Sequence, residues 1–257
     1  MRGNGRPGRT APRAAIYALW CALALSCQPA PAEAPRPKYG PQAQRLFDRR
    51  DYLRAHEAAD FWALLGYYLP QRNDSSCSLA SAVMVLNALR AGEALSAATK
   101  LVTQDELLER VASPIWNDGT ADGGPGVSLD QFAALMRQAL DKYQIAGSVE
   151  AVHCERDDAE ALRDLKKVLA ANETSAGDLL IVNFLQSEYT GDPDGAVGHM
   201  APVAAYDAEA GRVLLFDPDR RWYEPYWVSV ETLLRGMATR DAEGGRARGY
   251  LRVVRAD

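Results

Sequence analysis

The chain has 257 residues, 47% of them hydrophobic, with 29 basic against 34 acidic residues and a formal net charge of −5. That is enough apolar mass for one substantial core, and the composition excludes disorder, a collagenous repeat and a disulfide-dense scaffold. An acidic balance without a long basic run argues against nucleic acid or an anionic membrane surface as a partner.

The chain opens with Arg2, Arg6, Arg9 and Arg13, a basic head followed by the apolar run 14-AAIYALWCALALS-26. The run is too short to span a bilayer comfortably and has the length of an export-signal core. Two processing sites compete: Ala30-Pro31-Ala32 fits one cleavage pattern. Leu25-Ser26-Cys27 fits a bacterial lipoprotein box whose Cys27 would be acylated, with Ala24 where a larger aliphatic residue is usual. Residues 1–32 are read as the signal, residues 33–41 as a Pro/Ala-rich tether, and residues 42–257 as one domain exported to the periplasm. Membrane contact is expected only through a lipid on Cys27. Without the four arginines, 25 basic residues face 34 acidic ones, a mature charge of about −9.

From Gln42 to Gly66 the pattern is helical with a mixed charged face. Pro70 and 72-RNDSS-76 then break the chain. From Cys77 to Leu89 only Ser78, Ser81 and Asn87 interrupt apolar residues, so this helix should be buried on most sides, with Ser75 or Ser76 as its N-cap. Helices follow near 103–112 and 128–143, the second opened by Ser128 and Gln131 at capping-box spacing. Between them 117-NDGTADGGPG-126 matches no phosphate-cradling pattern and reads as a connection long enough to wrap over a cleft. The second half turns to strands near 148–152, 179–184, 199–206, 212–217 and 249–255, with helices near 157–171 and 229–238. Helices first and strands later predict an α+β fold, a helical lobe against an antiparallel sheet.

The turn signal 207-DAEAG-211 centres on Glu209, so simple antiparallel pairing sets His199 opposite Asp219 and makes Asp217 its diagonal neighbour on the same face. Diagonal Cβ atoms lie about 7 Å apart, within reach of an imidazole and a carboxylate, although a bulge at Pro202 would shift the register. A histidine and an aspartate on one face, with Cys77 at a helix N-terminus, are the parts of a thiol acyl-transfer site. Imidazolium and the positive end of a helix both favour thiolate, and the aspartate steadies the charged imidazole. Gln71, six residues before Cys77, can donate its amide to the developing oxyanion beside the Cys77 N–H. A lone cysteine heading an apolar helix is more often packing than catalysis. Gln, Cys, His and Asp together, in this order and in these local contexts, reverse that preference.

These residues resemble the phytochelatin synthases, a papain-like group of glutathione-using acyltransferases, over about Leu69 to Val254. The matching motifs are Gln71 with 77-CSLASAVMVLNAL-89, 198-GHMAP-202, Asp217 with Arg220 and 223-YEPYW-227, Met237 with Asp241, and 248-RGY-250. The resemblance implies a papain-like fold, with Cys77 as nucleophile, His199 as base and acid, Asp217 as its orienter and Gln71 as oxyanion donor. It implies Arg220, Asp241 and Arg248 as substrate-contacting charges. It also implies glutathione as acyl donor, and water or a second glutathione as acceptor. No cofactor is required of the protein, and a heavy-metal ion would enter as a thiolate complex of the substrate. The chain departs from the family at Ser78, where glycine is usual, and in 185–197, where a basic residue is expected. The cysteine-rich extension of the plant enzymes does not follow Arg255, and single-domain bacterial relatives act mainly as hydrolases.

Other readings stay open. Cys154 beside His153 invites a metal, but no ligand spacing accompanies it and only three histidines exist, so no metal site is expected. A Cys77–Cys154 disulfide would silence the nucleophile in an oxidising compartment. A double-glycine-type cysteine peptidase shares the Gln…Cys…His…Asp-Pro layout, and a non-catalytic lipoprotein that binds thiol peptides is a third reading. Homodimerisation is open.

Overall fold

The computed structural model describes residues 1, 39–40, 42–91, 93–94, 96–190 and 195–256. The expected signal at 1–32, including Cys27, and most of the tether lie outside the described residues, apart from Met1, Tyr39 and Gly40. No helix among the described residues is long and apolar enough to cross a membrane.

The region read as helical between Gln42 and Gly66 is instead four short pieces. A two-residue strand β1 (Gln44–Arg45) and a 3-10 turn (Leu46–Asp48) lead into α1 (Asp51–Ala55) and α2 (Ala59–Leu65). The helical pattern breaks at Ala58, which adopts a left-handed φ of 45°, a conformation that ends a right-handed helix. β1 is drawn out of the pattern by pairing with Trp227 and Tyr226.

α3 (Cys77–Leu89) follows the polar turn, and every residue from Ser78 to Leu89 is buried. α4 (Gln104–Val111) is capped by Thr103, whose side chain accepts from Glu106 N–H. α5 (Pro114–Gly119) occupies the start of the glycine-rich stretch expected to be loop; Pro114 stands at its first turn, where a missing N–H costs nothing. α6 (Leu129–Tyr143) carries the capping box of Ser128 and Gln131 that the spacing indicates. The later elements are β2 (Gly147–His153), α7 (Ala159–Asn172), β3 (Asp178–Leu185), the single turn α8 (Ser187–Thr190), β4 (Gly198–Asp207), β5 (Arg212–Leu215), β6 (Tyr226–Ser229), α9 (Val230–Met237) and β7 (Gly249–Arg255).

The strands form one seven-stranded antiparallel sheet in the order β1-β6-β5-β4-β3-β7-β2. This is an α+β fold, with one addition to the two-layer expectation: both faces are covered. On one face Leu179, Ile181, Leu251 and Val253 pack with Leu79, Met84, Trp116 and Phe132 from the helical lobe. On the other, Leu180, Val182, Val213 and Tyr226 pack with Leu165, Leu169, Leu233 and Met237 from α7 and α9. Alternation along β3 between the two clusters explains its unbroken apolar run, since a strand buried on both faces has no polar side.

The β4–β5 hairpin sets the site. Asp207 pairs with Arg212 and Ala205 with Leu214, then Val203 with Leu215, so Ala204 is an extra residue in β4. The bulge therefore falls two residues from Pro202 and not at it. Near the turn the pairing is one residue off the simple register, and the bulge removes that offset. Phe216 N–H then reaches Pro202 O at 3.0 Å, bringing the next residue, Asp217, alongside the start of β4.

Candidate active site

The turn before α3 is built from its own side chains. Ser76 Oγ accepts from the N–H groups of Arg72 and Asn73 and donates to Asn73 O. Ser76 is the N-cap residue by position, but its hydroxyl is used in the turn and makes no cap bond. The first N–H groups of α3, Cys77 among them, are thus left without a side-chain cap, at the end of a helix that favours negative charge. Two further bonds tie the turn to the glycine-rich stretch: Asn73 Nδ2 donates to Thr120 O at 3.0 Å and Ser75 Oγ to Gly124 O at 2.6 Å. Ser78 Oγ accepts from Trp116 Nε1 at 3.3 Å, which fastens the residue after Cys77 to α5. The stretch 124–127 then forms one wall of a cleft, as a connection wrapping over it should.

His199, at the start of β4, and Asp217, just past β5, are both buried, with Nε2 and Oδ1 2.7 Å apart. Cys77 lies close enough to His199 to raise its pKa, and with Nε2 engaged by Asp217 the other ring nitrogen, Nδ1, is left for it. Asp217 is saturated with donors. Asp219 N–H donates to its Oδ1 at 2.8 Å, Tyr226 OH to its Oδ2 at 2.9 Å, and Tyr68 OH to its carbonyl at 2.7 Å. Burial alone would raise the Asp217 pKa, but the imidazole, Asp219 N–H and Tyr226 OH hold it below the ordinary carboxylate value. Burial alone would lower the His199 pKa, yet Asp217 and then Cys77 hold it well above the ordinary imidazole value. Phe184 packs edge-on against the His199 ring at 5.5 Å. A thiol beside an imidazole that is bonded to a carboxylate can pass a proton from sulfur to nitrogen and stabilise the ion pair that results.

The cleft beside Cys77 has a volume of about 400 Å³, a size suited to a small peptide-like ligand. Asp241 and Arg248, both expected at the substrate, line it. Arg248 is 6% exposed; its Nη1 lies 3.0 Å from Asp241 and donates to Asn183 Oδ1 at 3.3 Å, while its Nε has no partner. Arg220 is not brought to the cleft lining. Its guanidinium stacks on Tyr68 at 4.4 Å, so it acts on the Asp217 side of the site through a cation–π contact. Gln71 is held by its N–H, which donates to Pro218 O at 2.8 Å.

Sequence reasoning missed Asn183 and Tyr68, and it quoted Gly198 and Tyr226 within motifs without giving either a role. Asn183 had a signal, as the one amide in the apolar run of β3. The role of Gly198 is close approach: a Cβ there would stand 2.5 Å from Arg248 Nη1, so a larger residue would have to displace the guanidinium. Tyr226 had the motif 223-YEPYW-227 as its signal, nine residues past Asp217, whereas Tyr68 comes from 149 residues away and had none.

Cys154 lies elsewhere. It packs with the cluster on the other face of the sheet, at a cavity of about 230 Å³ lined also by Leu165, Val168 and Tyr250. Cys77 packs with the helical-lobe cluster, and both thiols are free. Burial, with help from Glu155, pushes the Cys154 thiol up to about 12. His153 is bonded to Ala247 O and Asp130. Among the described residues no group of three or more His, Cys, Asp or Glu is placed to hold a metal ion.

Residues 39–250 match the family model described as phytochelatin synthase. Among curated proteins, the chain is 27% identical over 197 residues to glutathione gamma-glutamylcysteinyltransferase 2 of Arabidopsis thaliana, covering 76% of this chain and 40% of that one. It is 26% identical over 214 residues to glutathione gamma-glutamylcysteinyltransferase 1 of Triticum aestivum (83% and 39%). It is 24% identical over 208 residues to the glutathione gamma-glutamylcysteinyltransferase of Schizosaccharomyces pombe (78% and 45%). The chain spans less than half the length of these relatives.

Proposed function

The chain belongs to the phytochelatin synthase family, and we propose on that footing that it is a papain-like thiol acyltransferase acting on glutathione. The observation that carries the reading is the bonded pair His199 and Asp217 beside Cys77, which lines a cleft holding a buried arginine paired with an acid. Cys77 thiolate attacks the carbonyl of the Cys–Gly amide, and His199 protonates the departing glycine amine. γ-Glutamylcysteine stays on sulfur as a thioester. Water, or the amine of a second glutathione, then attacks with His199 as base, giving hydrolysis or chain extension.

Arg248 suits the γ-glutamyl carboxylate and Asp241 the ammonium of the same head group, each offering opposite charge from a desolvated position. The protein itself needs no cofactor in this scheme; a heavy-metal ion takes part as a thiolate complex of the substrate. The double-glycine peptidase alternative gains no support from the family match. Export to the periplasm remains part of the proposal, supported by the basic head and apolar run at 2–26.

The test is incubation with glutathione while free glycine, γ-glutamylcysteine and longer γ-glutamylcysteinyl peptides are quantified. Glycine release in step with either product supports the reading. Intact glutathione after prolonged incubation, with and without a thiophilic metal, sinks it.

A further inference from the structure

Two buried oxygens beside the triad have no hydrogen-bond partner: Oε1 of Gln71 and Oδ1 of Asp219. A buried acceptor left without a donor costs about 1–3 kcal/mol, so two in one neighbourhood require an explanation. Their backbones are neighbours. Gln71 N–H donates to the carbonyl of Pro218, the residue before Asp219, at 2.8 Å. Asp219 N–H in turn donates to Asp217 Oδ1 at 2.8 Å, which fixes the loop against the triad. Asp219 is 9% exposed, and its carboxyl takes no hydrogen bond from any triad member.

With the amide oxygen turned to Asp219, neither oxygen can satisfy the other while Asp219 is ionised, because a carboxylate and an amide oxygen are both acceptors. A single proton satisfies both. We propose that Asp219 is protonated and donates to Gln71 Oε1, thereby positioning the Gln71 amide so that Nε2 faces the carbonyl oxygen of an acyl group on Cys77. Its catalytic consequence rests on the acyl-transfer reading above.

The surrounding charges favour the proton. Burial raises the Asp219 pKa, His199 opposes, Asp217 and Asp74 raise it, Arg221 opposes, and the net shift is upward. The proton also decides which way the amide points. An ionised Asp219 attracts Nε2–H, which turns Oε1 towards the cleft, where an oxygen repels a developing oxyanion instead of donating to it. Asp219 is thus a positioning residue, acting on the transition state only through Gln71.

Two reactions of Cys77 separate this role from a merely structural one. Acylation by p-nitrophenyl acetate develops an oxyanion and needs no γ-glutamyl recognition, whereas alkylation by iodoacetamide develops none. In Asp219→Ala, acylation is expected to slow by about tenfold or more, part of the roughly 10²–10³ that an oxyanion donor supplies. Alkylation is expected to stay within about twofold, which also reports a folded site. Asp219→Asn, which can still donate to Oε1, is expected to recover most of the acylation rate. Its rate–pH profile should lack the alkaline decline that ionisation of Asp219 gives the unmodified protein. Equal slowing of both reactions in Asp219→Ala, an unchanged acylation rate, or an Asn variant as slow as the Ala variant would overturn the proposal. Failure of the glutathione reading shows separately, as an unmodified protein that acylates with the ester but releases no glycine from glutathione.

Discussion

The two faces of the sheet each hold one described cysteine, and their surroundings differ in every respect that governs thiol chemistry. Cys77 stands at the uncapped start of a 13-residue helix, close enough to His199 to raise the pKa of that imidazole. Cys154 sits past the end of β2, next to Glu155, among apolar side chains that push its thiol up to about 12. Reactivity is therefore a property of the neighbours. The same contrast holds between two carboxylates that are both 0% exposed. Asp217 is met by an imidazole, a tyrosine hydroxyl and a backbone N–H, which hold its pKa down. Asp60 receives no hydrogen bond at either oxygen; burial and then Glu173 push it up to about 9, with the Asn172 amide opposing. Burial prices a charge, and donors decide whether the charge survives.

The sharpest way to break the comparison is to remove each sulfur in turn. Cys77→Ser should lower glycine release from glutathione by about a thousandfold or more, since loss of a nucleophile removes the covalent route. Cys154→Ser should leave turnover within about twofold of the unmodified protein. A comparable loss in both variants would erase the distinction between the two faces.

The next effect is on the imidazole. Asp217→Asn should lower turnover by about 10²–10⁴, because the amide favours the wrong tautomer and no longer stabilises imidazolium. Iodoacetamide labelling of Cys77 at neutral pH should slow with it, while labelling of Cys154 should not change. Peptide mapping after alkylation reads both.

The carboxylate contrast gives a pH prediction. Between its ordinary value of 3.8 and its folded value of about 9, Asp60 is protonated in the folded state and ionised in the unfolded one. Stability from this group therefore falls as pH rises across that window, by about 1.4 kcal/mol per pH unit, and levels above it. Asp217 and His199 have the opposite shifts to each other. Asp217 contributes above 3.8 and loses its contribution as pH falls through its depressed folded value. His199 contributes fully below 6.5 and loses its contribution as pH rises through its raised folded value. Urea unfolding at pH 5, 7 and 9 should show a shallower decline in Asp60→Asn than in the unmodified protein. An identical slope would mean Asp60 is ionised in the fold.

The smallest effect concerns the cleft. Gly198→Ala puts a methyl group against the Arg248 guanidinium and should raise KM for glutathione by about three- to tenfold, the cost of roughly 1 kcal/mol of misplaced charge. Alkylation of Cys77 should keep its rate, so the variant separates binding from nucleophile activation.

Much of this site was legible in the sequence because its parts are local. An apolar helix headed by Cys77 and a capping box at Ser128 each need only a few consecutive residues. The pairing of His199 with Asp217 needed only the hairpin's turn, and it came out right although the symmetric register hid a bulge at Ala204. What escaped depends on segments meeting from afar. Tyr68 reaches Asp217 from 149 residues away. Arg220 follows Asp217 closely in sequence yet turns onto Tyr68 and away from the cleft. Residues 42–66 kept a helical period that β6 partly overrode by pairing with β1, since an unpaired sheet edge outweighs local periodicity.

The central claim is that the sulfur facing His199 carries the acyl group. Intact-mass measurement after a brief exposure to glutathione, followed by peptide mapping, tests it most directly. The account expects a γ-glutamylcysteinyl thioester on Cys77 that disappears as glycine release reaches completion. A protein that stays unmodified while glycine is released, or an adduct on Cys154, would contradict it.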